Sequence, residues 1–343
     1  MIYKNIWLHN VEELIWLEDR KGILLQRIPE YVRRCLRPNT QNAYRKPSGV
    51  EIRFISGWEP ASITLISYQG ESKAWLFFGD FQVGEYVIKE EETTIEIPEP
   101  IFLSKPGTTP GKFNFHPSVI RLLLSGNEIH LVEVNGLGIR PPNKDQMPAL
   151  KYLAYGTSIT HGEAASSPAL AYAKQTAWRL GADVFNLGAS GAAYCEKELA
   201  DYIANRKDWD FATVCISVNM LNQGVSVEEF YHKAKYLVNT IAAKNQGKPI
   251  ICISLFPFFM DVNIHLRWPT RGPVCGPEDY RKALERIVEE LELTNVHLVG
   301  GDELLKDVTL LSHDLIHPGD YGMIQIAQNL AEFIRPILGG AGS

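Results

Sequence analysis

The feature that most constrains this chain is a change of period near residue 140. Before it, short runs rich in β-branched and aromatic residues alternate with turn signals, as at 50–56, 62–67, 74–78, 85–88 and 93–97. Runs 118–124 and 129–134 flank the turn-forming residues 125–128 and are expected to pair as a hairpin. Many short strands at this spacing predict a jelly-roll-like β-sandwich. Its aromatics, among them Trp58, Trp75, Phe77, Phe78 and Phe81, are expected mostly as core.

After residue 140 the pattern becomes strand, helix, strand, helix. Buried-strand runs at 152–155, 184–185, 212–216, 250–254 and 296–299 are separated by helical patterns. Helices are predicted over 169–180, stopped by Gly181, then over 227–245 and 277–291, with a last one from Gly319 to just before Pro336. Alternating β and α imply a parallel sheet covered on both faces, with ligands at the carboxyl ends of its strands. The polar, proline-rich stretch 140–148 reads as a linker. Two domains follow, 1–145 and 146–343.

A chain of 343 residues suits two domains, and 45% apolar content can build cores without disulfides or metals. The net charge of −6 argues against nucleic acid or an anionic membrane as partner. Acidic residues break every apolar stretch of the N-terminus, so no signal peptide and a cytoplasmic location are expected. The five cysteines form no CxxC pair and read as thiols in a reducing compartment, Cys215 and Cys252 as core. The histidines are scattered, with no HExxH, so neither a metal nor another cofactor is expected. A homo-oligomer stays open.

Four short segments carry chemistry, and each is expected at the carboxyl end of a predicted strand. Ser158, in Gly156-Thr157-Ser158, stands at a strand-to-helix turn, where it either caps the helix or is exposed as a nucleophile beside free N–H groups. Asn186 to Gly191 contains two glycines that permit close backbone approach. Asn219 follows the third strand, as an Asx-turn residue or as a side-chain donor to an oxyanion. Asp314 and His317, three apart before Pro318, form either a solvated turn or a carboxylate–imidazole pair that can serve a serine.

These segments in this order resemble the consensus blocks of the SGNH, or GDSL-like, hydrolases, over residues 150–338. Gly156-Thr157-Ser158 matches the first block, with Thr157 where the family usually has Asp. Asn186 to Gly191 matches the second, aligning Gly191 with the oxyanion-hole glycine. Ser217-Val218-Asn219-Met220 keeps only the Asn of the usual G-x-N-D, while Asp314, His317 and Pro318 match D-x-x-H-P completely. The resemblance implies a flavodoxin-like domain with a five-stranded parallel sheet. It also implies a Ser158–His317–Asp314 triad, and an oxyanion hole of the Ser158 and Gly191 N–H groups with the Asn219 amide.

The layout is similar to two-domain members that include carbohydrate acetyl esterases and an acyltransferase. The expected activity is removal of a short acyl group, most simply acetyl, from a small acylated sugar. His161 and Trp268, the latter in a polar loop over 256–277, are expected near the substrate. An acyltransferase with the same triad is the nearest alternative. A non-catalytic carbohydrate-binding protein with a degenerate hydrolase domain is the alternative of another class.

Overall fold

The computed structural model describes residues 1–57, 59–98, 113–262 and 272–340. The chain forms two compact units. One comprises Met1–Arg33, Tyr44–Ala149 and Gly181–Asp183; the other comprises Arg34–Ala43, Leu150–Leu180 and Val184–Ser343.

The first unit is a sandwich of two antiparallel sheets. Its strands are β1 (Ile2–Tyr3), β2 (Ile6–His9), β3 (Glu13–Trp16), β4 (Ile23–Gln26), β5 (Glu51–Phe54) and β6 (Ala61–Tyr68). They continue with β7 (Ser72–Phe78), β8 (Phe81–Ile88), β9 (Thr93–Ile97), β10 (Ile120–Ser125) and β11 (Glu128–Gly136). One sheet has the order β1-β2-β5-β10-β7-β8, the other β3-β4-β11-β6-β9. The period of two decides what each strand buries. Ile52 and Phe54 of β5, Ala74, Leu76 and Phe78 of β7, and Ile63 and Leu65 of β6 meet in one core. Trp75 and Phe77 lie on the opposite face of β7 and are buried as well, whereas Phe81 is 45% exposed.

The hairpin expected from 118–134 does not form. β10 pairs with β5 and β7, and β11 with β4 and β6, so the turn between them carries the chain from one sheet to the other. A tight turn between two apolar runs serves either connection, and the partner strands lie far away in sequence.

The face of β5 opposite the core carries charge. Arg53 donates two hydrogen bonds to Asp183, at 2.7 and 2.8 Å, and a third to Glu51 at 2.8 Å. Arg121, beside Arg53 on β10, donates two more to Glu51, both at 2.8 Å. All four side chains are buried. Burial by itself favours the neutral guanidinium of Arg53, but the carboxylates of Asp183 and Glu51 outweigh it and hold the group charged. Removing one partner leaves buried charge uncompensated. Arg53→Met is therefore expected to lower unfolding free energy by about 3–5 kcal/mol, measured by urea denaturation. A loss under about 1 kcal/mol would show that water reaches the cluster.

The second unit holds the five-stranded parallel sheet, in the order β13-β12-β14-β15-β16. Its strands are β12 (Leu150–Gly156), β13 (Ala182–Gly188), β14 (Phe211–Cys215), β15 (Ile250–Ile253) and β16 (Val296–Val299). The first two residues of β13, Ala182 and Asp183, cluster with the sandwich. β14 and β15 are buried throughout and, Thr213 aside, apolar, as a sheet covered on both faces requires. Tyr152 stacks on Phe211 with centroids 4.8 Å apart, and its hydroxyl meets Thr213 Oγ1 at 2.6 Å. Cys215 and Cys252 are buried here, and burial pushes both thiols up to about 12.

Helices α1 (Glu30–Arg33) and α2 (Pro38–Ala43) come from the front half of the sequence. Then follow α3 (Ser158–His161), α4 (Tyr172–Leu180), α5 (Lys197–Asn205), α6 (Val218–Asn222), α7 (Val227–Lys244), α8 (Pro277–Leu291), α9 (Gly301–Leu304) and α10 (Asp320–Gly340). The expected stop before Pro336 is overruled, because α10 runs through it. Pro336 falls in the last turns, beside exposed residues such as Glu332 and Arg335, where water can satisfy the carbonyl that loses its partner.

Candidate active site

The strand order places a topological switch point at β12, whose neighbours β13 and β14 lie on either side. Ligands bind at the carboxyl ends of strands at such a point. Gly156 and Cys215, the last residues of β12 and β14, are paired in register. Ser158 and Asn219 follow them by two and four residues.

At the end of β12 the helix cap is Thr157, whose Oγ1 accepts the Ile159 N–H at 3.3 Å. Ser158 therefore does not cap α3 but is its first residue. Its side chain is free for other use, and its N–H has no partner among the described residues. α3 packs close to β13 because residue 188 is glycine; a Cβ there would collide with the backbone nitrogen of His161. Asn186 braces the same junction, accepting from Gly188 N–H at 2.8 Å and donating to Thr160 O at 2.9 Å.

Asp314 and His317 sit on the loop before α10. Asp314 Oδ1 accepts from the Ile316 and His317 N–H groups, both at 2.9 Å, and from Ser312 Oγ at 3.0 Å. The loop is pinched by Ser312 N–H donating to His317 O at 2.7 Å and by Gly319 N–H donating to Leu310 O at 2.9 Å. Asp314 Oδ2 then meets His317 Nδ1 at 2.6 Å, and His317 Nε2 meets Ser158 Oγ at 2.7 Å. One carboxylate thus both folds the turn and orients the ring. Burial opposes its ionisation, but the hydrogen bonds from the His317 N–H, its imidazole and the Ile316 N–H hold the Asp314 carboxyl down at about 2. Asp320, opening α10, accepts from Ser166 N–H and Oγ at 2.8 and 2.7 Å, tying the segment after α3 to the helix that follows His317.

The Asn219 side chain donates to Ala192 O, leaving the second amide hydrogen for another acceptor. The Gly191 N–H has no partner among the described residues, and the space where a Cβ would stand is open. His161 closes α3 and is half-buried; His313 is exposed. Trp268, with Asn263, His265, Arg267 and Arg271, lies outside the described residues, as does Trp58.

Ser217 occupies the glycine position of the third block, at φ +123° and ψ −62°, a conformation that L-residues rarely adopt. Its Oγ is buried with no partner among the described residues. Ser217→Gly is expected to raise stability by about 1–2 kcal/mol, as relief of backbone strain outweighs the entropy of glycine. Denaturation midpoints check this; a loss of stability would mean that the hydroxyl is bonded to water.

Two contributors were not legible in the sequence. Thr157 as cap follows from the ordinary preference of threonine once the helix start is known. The other is the segment Arg34–Ala43, part of the second unit although its sequence lies within the sandwich region. Asn39 Nδ2 donates to Gly191 O at 2.7 Å, and Thr40 Oγ1 to Glu196 Oε1 at 3.0 Å. The Arg37 guanidinium lies 4.4 Å from the Tyr194 ring centroid. No local pattern signals contacts across 152 residues.

The sequence pattern of the GDSL-like lipase/acylhydrolase family matches residues 151–335. The chain therefore belongs to that family and is an ester hydrolase by class. No curated protein sequence matches it. Among solved structures it is similar to the salicylyl-acyltransferase of a tetracycline biosynthetic pathway, with 16% identity, 97% of this chain and 95% of that one covered, and a TM-score of 0.78. A candidate GDSL-like lipase from Bacteroides ovatus gives 20%, 98%, 98% and 0.70. A family two carbohydrate esterase from Clostridium thermocellum, in complex with cellohexaose, gives 16%, 84%, 92% and 0.59. At these identities the likeness is one of fold, and it bears out a β-sandwich joined to an SGNH domain.

Proposed function

We propose that the protein is a serine esterase that removes a short acyl group, acetyl in the simplest case, from a carbohydrate, using Ser158, His317 and Asp314. The observation that carries this reading is the unbroken relay from Asp314 through His317 to Ser158, with contacts of 2.6 and 2.7 Å. Ser158 Oγ attacks the ester carbonyl while His317 Nε2 accepts its proton, and Asp314 holds the imidazole in the tautomer that can do so. The oxyanion is met by the Ser158 and Gly191 N–H groups and the free hydrogen of the Asn219 amide. The C–O bond to the alcohol breaks as His317 returns the proton. Water then enters, His317 deprotonates it, and hydrolysis of the acyl-enzyme restores Ser158.

The carbohydrate part of the reading is supported by the fold shared with the carbohydrate esterase. Fold similarity over 97% of the chain to an acyltransferase favours a second reading, in which an alcohol takes the place of water. Turnover of p-nitrophenyl acetate, butyrate and octanoate, and then of acetylated xylo-oligosaccharides, tests the substrate. The expected order is acetate over butyrate over octanoate, with acetate released from sugars. Preference for octanoate with no sugar deacetylation would overturn this. Product analysis with added alcohols separates the two readings: a new ester in place of free acid would make the enzyme a transferase.

A further inference from the structure

We infer that Asn39, a residue of the front half of the sequence, is a positioning residue for the Gly191 peptide. The inference rests on the esterase reading and adds to it the element that sets the oxyanion donor. Residues 189–192 form a β-turn closed by Ala192 N–H donating to Ala189 O at 3.1 Å. Gly191, third in the turn, has φ +67°, the sign that a type II turn requires there. Types I and II differ in the orientation of the middle peptide, and here that is the peptide bearing the Gly191 N–H. Turning it over would aim the Ser190 carbonyl where the N–H had been. A glycine at the third position allows both turns, so its backbone does not choose between them.

The position of the turn is set by what holds the carbonyls that flank it. Asn39 Nδ2 donates to Gly191 O at 2.7 Å, and Asn219 Nδ2 donates to Ala192 O. Two consecutive carbonyls are thus each tethered by a side-chain amide, which fixes the Gly191–Ala192 peptide and with it the flank of the turn from which the Gly191 N–H is directed. Asn39 is itself fixed by α2, which is anchored to the same loop through Thr40–Glu196 at 3.0 Å and, just before its first turn, through Arg37 on the Tyr194 ring at 4.4 Å. Glu196 also accepts from the Tyr194 N–H at 3.2 Å, so the brace spans the loop from Gly191 to Glu196. α2 therefore holds the oxyanion turn in its productive form.

The test uses the full chain with p-nitrophenyl acetate. Asn39→Leu keeps much of the volume and removes the donor. It is expected to lower kcat by about three- to tenfold, the size of one neutral hydrogen bond, with KM within about twofold. Tm should hold, because Asn39 is exposed. If Tm falls, Asn39→Asp, of the same shape but with an acceptor facing Gly191 O, decides, and the same loss of kcat is expected. Gly191→Ala, which disfavours the positive φ, should lower kcat by itself. In the Asn39→Leu/Gly191→Ala double variant the losses should then fall short of multiplying, since both act through one peptide. Unchanged kcat in the Asn39 variants, a change confined to KM, or fully multiplicative losses would overturn the inference. Fluorophosphonate labelling of wild type keeps the two readings apart. A wild type that labels while the Asn39 variants behave normally defeats the positioning role alone. A wild type that neither labels nor turns over defeats the esterase reading, and the positioning role with it.

Discussion

Ser158→Ala is expected to reduce kcat by about 10⁴- to 10⁶-fold, the loss typical of removing a serine nucleophile. Ser158 Oγ has His317 as its hydrogen-bond partner, and the side chain is 4% exposed at the start of α3. Alanine removes one oxygen, keeps the helix start and leaves the Thr157 cap untouched. His317, 16% exposed, can turn its Nε2 to water. The fold should therefore survive, with an unchanged Tm. The variant should also stop reacting with a fluorophosphonate probe. Near wild-type turnover by the folded variant would remove Ser158 from the mechanism and reopen the reading of a binding protein with a degenerate domain.

Asp314→Asn is expected to lower kcat by about 10²- to 10⁴-fold, because the amide can donate to His317 Nδ1 and so favour the wrong tautomer. It should also weaken the loop, whose Ile316 and His317 N–H groups both close on Asp314 Oδ1 at 2.9 Å. The pH dependence follows from the carboxyl being held at about 2, below the ordinary range of an aspartate. A depressed carboxyl stabilises the folded state at pH values above its unfolded pKa. That contribution is lost as pH falls from about 4 through about 2. The Tm difference between wild type and Asp314→Asn should accordingly be constant above about pH 5 and shrink below about pH 4. A difference that instead grew on acidification would contradict the assigned hydrogen bonds. A kcat loss under about tenfold would mean that the tautomer is set by another group.

How much of this was legible in the residues depends on the range of the interaction that decides each part. The change of period near residue 140 correctly announced an antiparallel sandwich and a parallel sheet, since short runs closed by turns and runs separated by helical patterns reflect preferences internal to each segment. Asp314 and His317 were legible for the same reason. Their spacing of three residues is that of one tight turn, and the carboxylate that folds the turn is the one that meets the ring. The wrong hairpin over 118–134 came from the same local logic, because a short turn says that two strands are consecutive and not that they share a sheet.

What the sequence by itself determined was the set of candidate reacting groups and the two architectures that carry them. Ser158, His317, Asp314, Gly191 and Asn219 each stand in a short segment whose side chains are chemically suited to acyl transfer. Only the tertiary structure decided their distances and their support. The 2.7 Å contact from His317 to Ser158 spans 159 positions, and its geometry depends on how β12, α3 and α10 pack. The hydrogen bond from Asn39 of α2 to the 189–192 turn joins segments 152 positions apart, with no pattern in either to announce the other. Local sequence encodes conformation through sterics and short-range hydrogen bonds. Pairings at this separation arise from burying the apolar faces of whole elements, so they appear only once the chain is folded.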